Sequence, residues 1–302
     1  MISTETKQNG LNGGNLKTIA LFCMTIDHFA VAIVYSALNL WRQYPNFYQL
    51  MALTYDFMRL IGRIAFPIYV YLINEGFKYS KNRLKYALRL LMLALISEVP
   101  FDMILNHKVY SIDSQNVFFT LLIGLLVLIL IEKAETIQKK ALSDLAIILI
   151  GSLGFIAASG LRTDYGAIGV MTIVVIYLAD REKNICILVL NFIALLLTMI
   201  NAIFADTLNI TILVEYAGVI VLSTIILTWV LKKVRLSNKK KMSLAALELT
   251  FSNPLEITSL ISVLIIGKYN GARGKFNKWL FYFYYPAHLL VLALLMILWG
   301  IY

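Results

Sequence analysis

One apolar stretch follows another along this chain: Leu16–Leu40, Leu50–Ile73, Leu84–Leu105, Val117–Ile131, Leu142–Leu161, Ala167–Ala179, Ile185–Phe204, Ile210–Leu231, Leu244–Ile266 and Trp279–Ile301. An α-helix rises about 1.5 Å per residue, so most of these stretches can cross the ~30 Å hydrocarbon core of a bilayer. Backbone N–H and C=O groups in lipid have no water to bond, and a helix satisfies them within the segment itself. Composition agrees, since 60% of the 302 residues are hydrophobic and only 15% are charged, which is too apolar for a water-soluble surface. The expected fold is an all-α integral membrane protein, a bundle of about nine or ten transmembrane helices. It forms a single polytopic domain over residues 1–302.

The net charge of +10 is unevenly placed. Lys78, Lys81, Arg83, Lys85 and Arg89 mark one connection, Lys133, Lys139 and Lys140 a second, Arg181 and Lys183 a third, and Lys232 to Lys241 a fourth. The connections between them are poor in Lys and Arg. The positive-inside rule then predicts a multi-pass protein of the cell membrane with a cytoplasmic amino terminus, Lys17 at the cytoplasmic face, and Asp113, Asp164 and Asp206 outside. A full span at Leu244–Ile266 conflicts with this, because it carries Lys268, Arg273, Lys275 and Lys278 outside. A segment broken at Ser252-Asn253-Pro254 removes the conflict by returning that loop to the cytoplasm, and both topologies stay open. Asp27 and His28 split the first apolar stretch, so it is expected to remain as a helix and not to be cleaved as a signal peptide. Cys23 and Cys186 lie inside apolar segments and read as small core residues. Three histidines without clustered cysteines make no zinc set, and no metal is expected.

Ionisable groups at membrane depth are costly and face a partner or a wet cavity. Lys17 and His28 are eleven steps apart in the first stretch, about 16 Å along a helix and within roughly 20° of one direction. Lys17 and Glu75 fall near the cytoplasmic edge, and Asp27, His28, Arg63 and His288 near the middle. Arg59, Glu98, Asp102 and Glu215 fall towards the outside. Histidine is a base near neutrality, which makes His28 the first catalytic candidate and His288 the second. Asp27 points about 100° away from His28 and is suited to pair with an arginine of the next helix. A purely structural role, with these charges joining helices, is the alternative for Arg59 and Asp102.

A set of motifs resembles the TraX family. They are Asn12 and Leu16-Lys17 with Ile26-Asp27-His28, Gly62-Arg63-Ile64-Ala65-Phe66-Pro67-Ile68 with Glu75-Gly76, and Ser97-Glu98-Val99-Pro100-Phe101-Asp102. Further along come Asn116-Val117-Phe118-Phe119-Thr120, Asp164-Tyr165-Gly166-Ala167-Ile168-Gly169, Tyr269-Asn270-Gly271-Ala272-Arg273-Gly274 and Phe283-Tyr284-Tyr285-Pro286-Ala287-His288. The resemblance implies a membrane acetyltransferase, since the namesake member acetylates the amino terminus of a conjugative pilin. The Lys-x10-His spacing also resembles broader membrane acyltransferases that use cytoplasmic acetyl-CoA. By that likeness Lys17 serves the CoA end and His28 is the catalytic histidine. The implied acceptor is a peptide, an amino sugar or an envelope glycan, reached through an amine or a hydroxyl; no nucleic acid is implied.

Charge and length fit that reaction. Lys17, Arg273 and Lys275, with Asn270 beside them, form a basic mouth for the phosphates of CoA. The ~16 Å to His28 matches the extended pantetheine arm. His28 is then general base or acyl carrier, and Arg63 a cation for the oxyanion. Glu98, Asp102, Asp164 and Glu215, with Tyr165, are the expected acceptor-binding set. A transporter or ion pathway using the same charges as a relay is the competing class.

Overall fold

The computed structural model describes residues 10–38, 42–205, 210–231, 243, 245–247, 249–250, 253–275 and 277–300. Lys232–Lys241, Asp206 and the side chain of Glu215 lie outside the described residues. Among those described the chain is helical, with two isolated bridges and no strand. The helices are α1 (Gly13–Phe29, continuing as a π stretch Ala30–Tyr35 to Leu38), α2 (Pro45–Gly62), α3 (Ala65–Tyr79), α4 (Arg83–Leu105), α5 (Val117–Ala134) and α6 (Lys140–Gly160). There follow α7 (Gly166–Ala179), α8 (Asn184–Ala205), α9 (Ile210–Leu231), a 3-10 turn Pro254–Thr258 leading into α10 (Ser259–Ile266), and α11 (Lys278–Leu298).

Among the described residues, five helical stretches are long and apolar enough to cross a membrane: Gly13–Leu38, Val117–Ala134, Lys140–Gly160, Asn184–Ile203 and Leu280–Leu298. The outer faces of the helices agree. Leu84, Leu88, Met92, Leu95 and Val99 form one exposed stripe on α4, and Leu142, Leu145, Leu149, Leu153 and Ile156 another on α6. Apolar stripes of this length at helical spacing are unstable against water and natural against lipid. The protein is an all-α membrane protein.

Helix α7 has no polar face and is buried from Ala167 to Ala179. It packs against α3, α5, α6 and α8, and the turn that precedes it carries Asp164 and sets Tyr165 against Phe66 and Arg63. Helices α1 and α11 run parallel, because Lys17 covers the Phe281 ring, Thr25 meets Tyr284 and His28 meets His288.

The stretch Leu50–Ile73, expected as one helix, is broken at Arg63–Ile64. Pro67 has no N–H for the Arg63 carbonyl and its ring crowds that oxygen. Ile64 N–H turns back to Ile61 O at 3.2 Å, so the carbonyl of Leu60 loses its usual donor; Thr258 Oγ1 supplies one at 2.6 Å.

The segment after α9 also reverses. Ser259 Oγ donates to Ala246 O at 3.2 Å, although thirteen residues of straight helix would separate them by about 20 Å. The chain therefore folds back around Asn253-Pro254 as a helical hairpin, which settles the two topologies in favour of the broken segment. The loop that follows joins the amino-terminal end of α1: Leu11 N–H donates to Lys268 O (2.8 Å), Asn270 N–H to Leu11 O (2.9 Å) and Gly13 N–H to Ala272 O (2.8 Å). Gly274, at φ +69°, lies so close to Asn12 that a side chain there would collide with the capping amide. Lys268, Arg273 and Lys275 thus sit at the same end of the bundle as Lys17.

Candidate functional site

Two polar groupings meet at the middle of α1. The first is the histidine pair. His28 Nδ1 lies 2.7 Å from His288 Nε2, with the rings stacked at 5.0 Å. His288 Nδ1 lies 2.9 Å from the carbonyl of Tyr284. A carbonyl only accepts, so Nδ1 of His288 carries the hydrogen, and in the neutral ring Nε2 is then an acceptor. His28 must donate from Nδ1, which leaves the lone pair of its Nε2 free. One backbone oxygen thereby sets the tautomers of both rings. Tyr284 is itself held, because Thr25 Oγ1 donates to Leu21 O (2.8 Å) and so accepts from the Tyr284 hydroxyl (2.7 Å). Tyr285 closes the pair edge-on to both rings.

The second grouping is ionic. Asp27 Oδ2 accepts from Arg59 Nη1 at 2.7 Å, the kind of partner its direction on the helix requires. Arg63, at the break between α2 and α3, directs Nη1 to Glu256 Oε1 at 3.1 Å and to the Tyr165 hydroxyl at 3.3 Å. The Tyr165 ring stacks on Phe66 with centroids 3.6 Å apart. Asp164 joins electrostatically: desolvation pushes its carboxyl up to about 6, opposed by Arg63 and reinforced by Asp27. Its side chain is nonetheless exposed, so it is not sealed in the core. Asp27, Asp164 and Glu256 oppose Arg59 and Arg63, one carboxyl in excess. Asp27 Oδ1, Arg63 Nε and Glu256 Oε2 are buried without a hydrogen-bond partner among the described residues. Buried polar atoms are normally satisfied, and three open ones in one cluster mark a place where a polar ligand fits.

Beside α1 lies a small, narrow apolar crevice lined by Leu21, Met24, Tyr69, Val117, Phe118, Leu121, Phe281 and Tyr285. Its two α1 residues, Leu21 and Met24, fall on the turns between Lys17 and His28. The Lys17 ammonium sits 5.1 Å from the ring centre of Phe281, one of the crevice residues, and is repelled by Arg273. Asn270 Oδ1 accepts from Ala272 N–H (2.9 Å), shaping the turn that presents Arg273, and Arg273 and Lys275 are exposed. Lys17, Asn270 and Arg273 are therefore brought together.

Glu98 and Asp102 are placed otherwise. Glu98 Oε2 accepts from the backbone and side chain of Asn116, which also caps α5 through Phe118 N–H at 3.0 Å. Asp102 accepts from Ser111 N–H (2.7 Å) and Asn106 Nδ2 (2.9 Å) and is fully buried. Both bind the connection between α4 and α5. Glu256 escaped the sequence reading, although a carboxylate two residues beyond a break in an apolar segment is its own signal.

Fold and site together define a helical membrane protein with a hydrogen-bonded histidine pair and an ion cluster held among apolar helices. The chain belongs to the TraX protein family, whose family model matches residues 12–214 and 193–296. It is also similar to the probable fimbrial assembly protein FimC, serogroup H1, of Dichelobacter nodosus, at 28% identity over 214 residues, covering 68% of this chain and 78% of that protein. No solved structure matches it.

Proposed function

We propose that this chain is a multi-pass cell-membrane acetyltransferase that moves an acetyl group from cytoplasmic acetyl-CoA to an amine or hydroxyl of an envelope acceptor. The name of the D. nodosus relative favours a role in fimbrial assembly, and a peptide is the acceptor that such a role suits. One observation carries the chemistry: the Tyr284 carbonyl fixes the histidine tautomers so that His28 keeps an unprotonated Nε2, eleven residues along α1 from Lys17. Lys17, Asn270, Arg273 and Lys275 hold the phosphates of CoA by charge-assisted bonds. The crevice is narrow as it stands, and entry of the pantetheine arm turns Phe281 or Tyr285 aside. His28 Nε2 removes the acceptor's proton as its nitrogen or oxygen attacks the thioester carbon. Arg63 stabilises the oxyanion. The C–S bond then breaks and the CoA thiolate takes the proton back from His28. The same lone pair receives the acetyl group if transfer runs in two steps.

The test is acetyl-CoA turnover and binding by purified protein in detergent. Turnover lost in His28→Ala with binding retained, and binding weakened in Lys17→Ala, is the expected result. A folded wild type that neither binds nor consumes acetyl-CoA removes the reading and leaves a transporter that uses the charges as a relay.

A further inference from the structure

We propose that Glu256, at the turn of the broken segment, is the positioning residue for Arg63, so that the helical hairpin completes the site. This rests on the acyl-transfer reading. Arg63 has two anionic neighbours competing for it. Asp27 leans on Gly62, the residue before Arg63, and offers an unpaired buried Oδ1. Glu256 offers Oε1 and takes Nη1, which Tyr165 also accepts. An unopposed guanidinium would turn to Asp27 and close a two-arginine cage around it, with Arg59 on Oδ2. Glu256 holds the guanidinium away, and Nε is left open and buried as a donor for developing charge.

The carboxylate can do this because it is itself fixed. Its side chain is only 4% exposed. Glu256 N–H donates to Asn253 O at 2.9 Å, and Ser259 braces the turn against Ala246. Thr258 Oγ1 is anchored on the Leu60 carbonyl, which the break at Arg63–Ile64 had freed. The hairpin thus grips the turn carrying Arg63 twice, once through a backbone oxygen and once through the guanidinium.

The test is a double-mutant cycle on full-length protein in detergent, with acetyl-CoA as the probe: Glu256→Gln, Arg63→Lys, both together, and Glu256→Asp. Glu256→Gln is expected to lower kcat by about tenfold to a hundredfold, the scale of misplacing a reacting group, with the KM for acetyl-CoA unchanged. In the Arg63→Lys background the same change is expected to add less than about twofold, since coupled residues are not additive. Glu256→Asp, which keeps the charge, is expected to recover part of the loss. Independent losses in the double variant, or a changed donor KM with kcat intact, overturn the inference. So does loss of the acetyl-CoA-induced thermal shift in both Glu256 variants, which would make the residue purely structural. A wild type without turnover overturns the acyl-transfer reading beneath it.

Discussion

Gly62 lies directly against the carboxylate of Asp27, with no room for a methyl group between them. The contact lets Asp27 reach Arg59 while staying clear of Arg63. Gly62→Ala forces the carboxylate or helix α2 to move, and overpacking of this kind costs about 1–3 kcal/mol. Thermal unfolding in detergent should show the loss. Shortening the partner in Gly62→Ala/Asp27→Ala should make the glycine change less damaging than it is alone, whereas equal damage in both backgrounds would mean that the contact is unimportant.

His288 acts on His28 through a defined hydrogen bond, so its replacements differ in kind. His288→Ala leaves His28 Nδ1–H without an acceptor and frees the ring to adopt the other tautomer. Acetyl transfer should fall by about a hundredfold or more, as expected when a general base is misprotonated or misaimed. His288→Gln restores an acceptor oxygen near the Nε2 position and should recover part of that rate. Indifference to both replacements would assign the pair to packing.

The parts of this arrangement that the sequence made legible are those set by local periodicity. Asp27 and His28 are adjacent, so helical geometry alone sends them to different partners, Arg59 and His288. The apolar stretches became helices for the same reason. The break at Arg63–Ile64 had a visible cause in Pro67, yet the surrounding apolar run masked it. Glu98 and Asp102 read as one charged face, but their oxygens serve a connection whose shape no periodicity encodes. Glu256 was the least legible: its role depends on a chain reversal that brings it to a residue nearly two hundred positions earlier in the sequence.

Asn116 joins three structural tasks, and its removal should be felt as stability and not as acceptor affinity. It caps α5, bonds Ala94 O at 2.8 Å, and satisfies Glu98 Oε2. Asn116→Ala loses a cap worth about 1 kcal/mol. It also strands a buried carboxylate oxygen, which costs about 1–3 kcal/mol more. A large drop in unfolding midpoint with an unchanged acceptor KM in the surviving folded protein is expected. The reverse pattern would place Glu98 in the acceptor-binding set.

Asp164 gives the protein a pH dependence whose sign follows from its carboxyl being raised from 3.8 to about 6 by desolvation. Below the lower value it is protonated in folded and unfolded chains alike. Between the two values the folded chain keeps the proton that the unfolded chain has released, so stability falls as pH rises, and above about 6 the contribution is flat. Exposure of the side chain to solvent makes the amplitude modest. Unfolding midpoints of wild type and Asp164→Asn, measured from pH 4 to 8, should therefore diverge through that window, the wild type losing ground as pH rises. Removing the opposing cation in Arg63→Gln should move the window upward. Parallel curves for wild type and Asp164→Asn would show Asp164 titrating as an ordinary surface carboxylate, detached from the Arg63 cluster.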